Sequence, residues 1–527
     1  MDSLTSRTRE PLAAADAPLG HVASIEGARA RLRLDAGEGQ PDAPRSGRMV
    51  KLLSGERTVL AVIRRLERDA DGLMATAECL GAAGADGALQ RGIAALPLPG
   101  EPVYAISDDE LAALFAPGAG DHIALGRLSG SAVPATVRTD RLLARHFAVL
   151  GSTGTGKSSA VALTLRRLVE TLPAAHILVL DPHNEYAAAF ADIGVHFDPT
   201  TLALPYWLMN LEEHIEVFLG GGDAQADYGR DILKRALLGA RQRNSRFAGL
   251  PVTVDSPIPY KLSDLLAELD EQAGKLEKRD DSPAILRIRQ KIEELKSDKR
   301  YAFMFSGMLV NDTLPDILGR LLRMPPDGRP VATLDLSGVP SDIMDVVVAL
   351  LSRLTFDFAV WSGRDDAARP FLLVCEEAHR YVPRRMTAAR GAAGRMLERI
   401  AKEGRKYGVA LGLVSQRPSD LSESVLSQCG TIFAMRMNND RDLAFVRDAL
   451  PEGGKGYIDS LSALANGECL ISGEGVPVPL RVTLDRAEAA HRPDSGDPAF
   501  TEKWRLDDDS PVFVTAVIDR WRQGKRE

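Results

Sequence analysis

The densest chemistry in the chain lies between Gly151 and Ser158, which read GSTGTGKS and fit the spacing G-x-x-x-x-G-K-[ST]. Glycines at 151, 154 and 156 let successive backbone N–H groups turn inward, and a helix starting directly behind them adds its own unpaired N–H groups, so the segment is suited to gripping phosphate oxygens. In such a grip Lys157 neutralises the β- and γ-phosphates and Ser158 holds Mg²⁺. The flanks agree with this: HFAVL supplies a strand before the loop and SSAVALTLRRLV a helix after it. The plain alternative is a Gly-rich turn that only joins the two.

A phosphate grip needs carboxylates on a second strand to position the metal and a water. FLLVCEEAHR offers them, delivering Glu376 and Glu377 to the end of an apolar run, where open α/β sheets bind ligands. Glu376 is expected in the metal's water shell and Glu377 beside the attacking water. Adjacent residues on a strand point opposite ways, so the strand must be ending for both to serve one site. The alternative is that both acids cap the following helix. Asp335, at the end of VATLD, is a rival without an acidic neighbour and reads as structural.

Downstream, GLVSQRPSDL places Ser415 and Gln416 at a strand end, where an amide can contact the γ-phosphate or the lytic water. Pro418 and its neighbours are equally suited to capping that strand. Between these motifs RMLERIAKEGRKYG forms a helix carrying Arg395, Arg399, Lys402, Arg405 and Lys406. An arginine donated to a neighbour's γ-phosphate raises the rate by orders of magnitude. Arg405 is the first candidate and Arg399 the second, against plain solvation. Residues 378–397 hold Arg380, Arg384, Arg385, Arg390 and Arg395 with no acid. Facing the channel of a ring, they would contact DNA phosphates without reading sequence, although guanidinium clusters also serve protein interfaces.

These residues need a scaffold, and the chain is long enough for two to four domains: 527 residues, 45% hydrophobic and 26% charged, with net charge −8. The acidic balance leaves any nucleic-acid contact to a local basic surface. Cys79, Cys375, Cys429 and Cys469 are widely spaced with no C-x-x-C, which argues against a zinc site and for core thiols. The apolar stretch from Val346 to Trp361 contains Arg353 and Asp357, so it reads as a buried helix and not a membrane span. The N-terminus lacks a secretion signal, which predicts a cytoplasmic protein.

Short β segments broken by Gly, Asp and Pro between about Gly20 and Ile106 predict a small barrel, followed by a short helix at DDELAALF. From His146 strands and helices alternate, as in a mostly parallel α/β sheet. Strands are predicted at 146–150, 176–181, 331–337, 371–377, 409–416 and 431–437. Residues 205–325 read as a helical insertion, in which Ile285, Ile288, Ile292 and Leu295 recur at helical spacing. Its charges (Lys275, Lys278, Arg279, Arg287, Lys291) solvate that helix or meet a partner. GECLISGEGVPVPLRVTL returns to β character, and a helix around Val514, Val517, Ile518 and Trp521 closes the chain.

Together HFAVLGSTGTGKS, ILVLDPHNEY, CEEAH, EGRKYGVALGLVSQRPSDL and LSQCGTIFAMRMNNDRD resemble the HerA family of hexameric DNA-translocating ATPases, relatives of FtsK and of the conjugative type IV secretion ATPases. The resemblance spans nearly the whole chain. It implies a flexible N-terminus (1–17), a HAS-like barrel (18–108), a RecA-like P-loop core (120–204 and 326–485), the helical insertion (205–325) and a C-terminal brace (486–527). It implies that Gly151, Gly154, Thr155, Gly156, Lys157, Ser158 and Ser159 bind ATP, with Mg²⁺ at Ser158 and Glu376. Glu376 and Glu377 match the second nucleotide motif, with Glu376 where many P-loop ATPases have Asp; Gln416 matches the sensor and Arg405 the trans-acting finger. The family implies a hexameric ring on double-stranded DNA. It also implies an effector, either a nuclease in DNA-end processing or, in antiphage defence, a nuclease or sirtuin-type NADase. A ring scaffold that activates an effector with ATP binding as a switch is the alternative, and export at a membrane would need an anchor from another subunit.

Overall fold

The computed structural model describes residues 17–35, 45–55, 57–69, 72–84, 87–220, 224–274, 282–306, 309–363, 368–384, 391–450, 454–494, 500–505 and 511–523. Near the N-terminus lie β1 (Gly20–Glu26), β2 (Arg29–Leu34), β3 (Met49–Ser54), β4 (Arg57–Asp69), β5 (Gly72–Ala83), β6 (Leu89–Arg91) and β7 (Pro102–Ala105). Six of them follow the order β2-β1-β7-β3-β4-β5 and close through a β2–β5 pairing, with β6 attached beside β5. Alternation drives closure: in β2, Ala30, Leu32 and Leu34 point inward while Arg29, Arg31 and Arg33 face out or lie half-buried. The predicted barrel is therefore present, with a small core of its own around Val22, Leu32, Leu52, Ile63 and Val103. The helix Asp108–Leu114 follows, started by a capping box between Ser107 and Glu110.

The second sheet holds β8 (His122–Leu128), β9 (Pro134–Arg138), β10 (Phe147–Leu150), β11 (Ile177–Asp181), β12 (Gly194–Phe197), β13 (Val331–Asp335), β14 (Phe371–Cys375), β15 (Val409–Ser415), β16 (Thr431–Met435), β17 (Glu468–Gly473) and β18 (Leu480–Leu484). Their order is β12-β13-β11-β14-β15-β10-β16-β17-β18-β8-β9. From β12 to β16 the neighbours are parallel, and from β16 to β9 antiparallel. Every residue of β10, β11, β14, β15 and β16 is buried, as expected of parallel strands covered on both faces. All six predicted strands form. The structure adds β12 at one edge and folds β8 and β9, which precede the Gly-rich loop, onto β18 at the other.

Residues 205–325 are largely helical, with Leu211–Leu219, Ala224–Gln242, Leu262–Gly274, Ser282–Ser297 and Leu314–Leu321 as the main helices. Ile285, Ile288, Ile292 and Leu295 are buried, and their cluster is continuous with the core of the second sheet. The insertion is thus packed onto that sheet and has no separate core. Arg353, on the helix Met344–Trp361, donates to both carboxylate oxygens of Glu213 at 2.8 and 2.9 Å and to the Leu208 carbonyl at 2.6 Å. That buried pair explains the charge inside an apolar run, since a buried guanidinium needs a carboxylate and further acceptors. No helix among the described residues is long and apolar enough to cross a membrane. The four cysteines are buried free thiols. Lys275, Lys278 and Arg279 lie outside the described residues.

Candidate active site

Four β10 residues feed directly into the Gly-rich loop, and the loop is held from both sides. Gly151 N donates to the Ser415 carbonyl of β15 at 3.3 Å, and Ser152 N donates to the Arg436 carbonyl just beyond β16 at 3.0 Å. A Cβ at Gly151 would stand 2.8 Å from Cβ of Met435, so only glycine fits between the neighbouring strands. Gly154 and Gly156 take φ of 74° and 99°, the left-handed region that turns the N–H groups inward. Lys157 opens the helix Lys157–Thr171. Its Nζ donates to the Ser152 carbonyl at 3.0 Å, inside the curve of the loop. Burial pulls its pKa down, while the charges of Glu376, Glu377 and Glu185 act in the opposite direction. Thr155 Oγ1 bonds the Ser152 carbonyl at 2.8 Å, and Ser159 is exposed on the first helical turn.

The strand-end condition on the two acids is met: β14 stops at Cys375 and Glu377 adopts φ 52°, ψ 42°. Both carboxylates therefore leave the strand and are buried, at 3% and 6% exposure. Their environments differ. Glu376 Oε2 accepts a hydrogen bond from Tyr186 Oη at 2.8 Å. Burial pushes Glu376 up to about 8, the nearby Glu185 and Glu377 charges push the same way, and Tyr186 and Lys157 oppose them. Glu377 is held below the ordinary carboxylate range: burial acts upward, but the His379 imidazole, Lys157 and His183 outweigh it. Nδ1 of His379 is 3.1 Å from Glu377 Oε2. The imidazole thus lies in contact with the carboxylate and favours its ionised form. A buried ionised oxygen of this kind is placed to accept from a water or another ligand.

Gln416 belongs to the same edge, since Thr153 Oγ1 at the loop's tip donates to its Oε1 at 2.5 Å. Ser415 is buried, with Oγ 3.3 Å from His379 Nδ1 and accepting from Arg417 N at 3.1 Å. The structure thus brings Gly151–Ser158, Glu376, Glu377 and Gln416 together. Arg399 and Arg405 are not brought to that edge. Arg405 precedes β15, so the strand's seven residues separate it from Gln416, roughly 20 Å. It is exposed and makes no side-chain hydrogen bond or ion pair among the described residues. Arg399 is engaged, with Glu403 at 3.5 Å and the Phe356 ring at 5.0 Å. Arg380 is exposed, whereas Arg384 pairs with Glu423 at 2.6 Å and lies over Phe445. Arg385 and Arg390 lie outside the described residues.

Three contributors escaped the sequence reading. His379 links Glu377 to Ser415, Tyr186 anchors Glu376, and Glu185 accepts from Ser158 Oγ at 2.6 Å. Two come from DPHNEY, whose Asp181 organises the turn by accepting from His183 N at 3.2 Å and Tyr186 N at 2.9 Å. The family specificity of that motif was the available signal. Asp335 accepts from Ser337 N in its own turn at 2.7 Å.

A Gly-rich loop on a central parallel strand, with buried acids two strands away and an amide between, defines a P-loop ATPase. Residues 123–355 match the family model described as Helicase HerA, central domain. The DNA double-strand break repair helicase HerA of Sulfolobus acidocaldarius is 29% identical over 428 residues, 80% of each chain. Its counterpart in Pyrococcus furiosus is 28% identical over 466 residues, 81% of this chain and 78% of that one. Among solved structures, VirB4 of Thermoanaerobacter pseudethanolicus is similar with a TM-score of 0.49 at 16% identity, covering 71% of this chain and 99% of that one. Over about four fifths of its length the chain is thus similar to the HerA helicases, and residues 123–355 match the central domain of that family.

Proposed function

We propose that this chain is an ATP-hydrolysing motor that moves double-stranded DNA, working as a homo-oligomeric ring, six-membered by the family resemblance. The observation that carries the hydrolytic reading is the buried carboxylate of Glu377, kept ionised by His379, Lys157 and His183 at the P-loop edge. Ser158 and Glu376 offer only oxygen donors, the kind that Mg²⁺ prefers. Bound there, Mg²⁺ would neutralise charge on the phosphates. Lys157 and the loop N–H groups bind the β- and γ-phosphates, Glu377 accepts the proton of the attacking water, and Gln416 orients that water. Arg405, too far from its own loop, serves the neighbouring protomer's γ-phosphate. Arg380 and the arginines of 385–390 contact the DNA backbone. The effector is a nuclease or a sirtuin-type NADase, in DNA-end processing or antiphage defence.

The test is DNA-stimulated ATP hydrolysis by Lys157→Ala and Glu377→Gln. Glu377→Gln should retain nucleotide binding and lose turnover by roughly 10²–10⁴-fold; turnover close to wild type would remove Glu377 from the chemistry. The barrel's separate core favours a second reading, in which the ring scaffolds an effector and ATP binding is the switch. Effector activity that persists in Glu377→Gln rings supports the scaffold, and strict dependence on turnover supports the motor.

A further inference from the structure

Resting on the nucleotide-site reading above, we propose that Glu185 is the positioning residue of the metal side of this site. Its carboxylate takes the hydroxyl hydrogen of Ser158 and so turns the lone pairs of Ser158 Oγ toward a divalent cation on the nucleotide. The contact is short, with Ser158 Oγ donating to Glu185 Oε2 at 2.6 Å, the length of an O–H to carboxylate bond. A serine hydroxyl has one hydrogen and two lone pairs. With the hydrogen committed to Glu185, only lone pairs remain for a ligand, which suits a cation and repels an anion.

Glu185 is fixed from several directions. The Asp181 carboxylate holds the amides of His183 and Tyr186 on either side of it. Tyr186 is buried, stacked on Phe190 with ring centroids 5.9 Å apart, and tied through its hydroxyl to Glu376. From the C-terminal segment, Asp494 N donates to the Glu185 carbonyl at 2.8 Å. The acid assigned to the metal, Glu376, has one oxygen occupied by Tyr186. Partners that orient a metal ligand in this way commonly matter about as much as the ligand itself. The DPHNEY turn therefore connects both acids to the P-loop serine.

The experiment measures binding of a fluorescent ADP analogue to the full chain, in Mg²⁺ and in EDTA, for wild type, Glu185→Ala, Glu185→Gln, Ser158→Ala and Glu185→Ala/Ser158→Ala. Without metal, all should bind within about twofold of wild type. The Mg²⁺-dependent gain should fall roughly ten- to hundredfold in Glu185→Ala, less in Glu185→Gln, which keeps an acceptor oxygen, and the double variant should lose little more than Ser158→Ala. Mn²⁺ binding to the protein–ADP complex, read by electron paramagnetic resonance, should weaken in parallel. A full Mg²⁺ gain in Glu185→Ala, a loss of equal size in EDTA, or tighter binding because the carboxylate only closes the loop would each overturn the proposal. If Glu185→Ala fails to fold, Glu185→Gln carries the same comparison. A wild-type chain that binds no nucleotide in either buffer would instead sink the nucleotide-site reading, and this inference with it.

Discussion

Glu377 is a non-glycine residue in the left-handed region, at φ 52°, and that conformation costs about 1 kcal/mol or more for a residue with a Cβ. The strain is what swings its carboxylate out of the strand direction and into the cleft that Glu376 also reaches. Stability and activity therefore pull apart at this position. Both Glu377→Gly and Glu377→Gln remove the charge and should lose turnover, but only Glu377→Gly relieves the strain, so it should be the more stable of the two by about 1 kcal/mol. Glu377→Gln keeps the strain, so its melting temperature should stay below that of Glu377→Gly. Calorimetry on the two variants checks this, and a Glu377→Gly chain less stable than Glu377→Gln would show that the backbone holds no strain there.

At the scale of elements, the helix Ala392–Glu403 joins the arginine-bearing segment to the sheet, and two acids hold its N-terminus. Glu216 Oε2 accepts from Ala392 N at 2.9 Å, and Asp345 Oδ2 accepts from Ala393 N at 3.1 Å. Burial, then the shared proton and charge of Asp345, push Glu216 up to about 7, while Ala392 N and Arg395 oppose the rise. A raised carboxyl binds its proton more tightly in the folded chain, so its stabilising contribution is complete below the ordinary value of 4.5 and is lost as pH climbs through about 7. Melting temperatures measured from pH 5 to 8 should fall more steeply for wild type than for Glu216→Gln, a difference of about 1 kcal/mol after allowing for partial exposure. Parallel curves would show that the pair does not share a proton. Legibility in the sequence follows the same division of elements. The strands β10, β11, β14, β15 and β16 were readable because burial on both faces writes them as unbroken apolar runs. β12 is four residues at an edge, and β8 interrupts its apolar residues with polar ones and a bulge, so neither stood out. The P-loop and the paired acids were readable because their chemistry requires fixed spacings. Glu185 was not, since only the sheet order brings it to Ser158, and the contact of His379 with Ser415 likewise depends on the pairing of β14 with β15.

At the scale of the whole molecule, the trans role proposed for Arg405 would make assembly a condition of catalysis. It sits at the opposite end of β15 from the P-loop edge, so its own site is out of reach. Arg405→Ala and Lys157→Ala should each abolish DNA-stimulated turnover in homogeneous rings, the first by removing the charge offered to the γ-phosphate and the second by removing the nucleotide's own lysine. Mixed rings behave differently. Where an Arg405→Ala protomer contributes the P-loop and a Lys157→Ala protomer contributes the arginine, one interface has both groups. Random assembly from equal amounts places that pair at about a quarter of the interfaces of a closed ring, so turnover should recover to about a quarter of wild type if sites fire independently. Recovery should require time for subunit exchange and should follow the mixing ratio, with its maximum at equal parts. A mixture no more active than its two components would mean that Arg405 does not act across the interface.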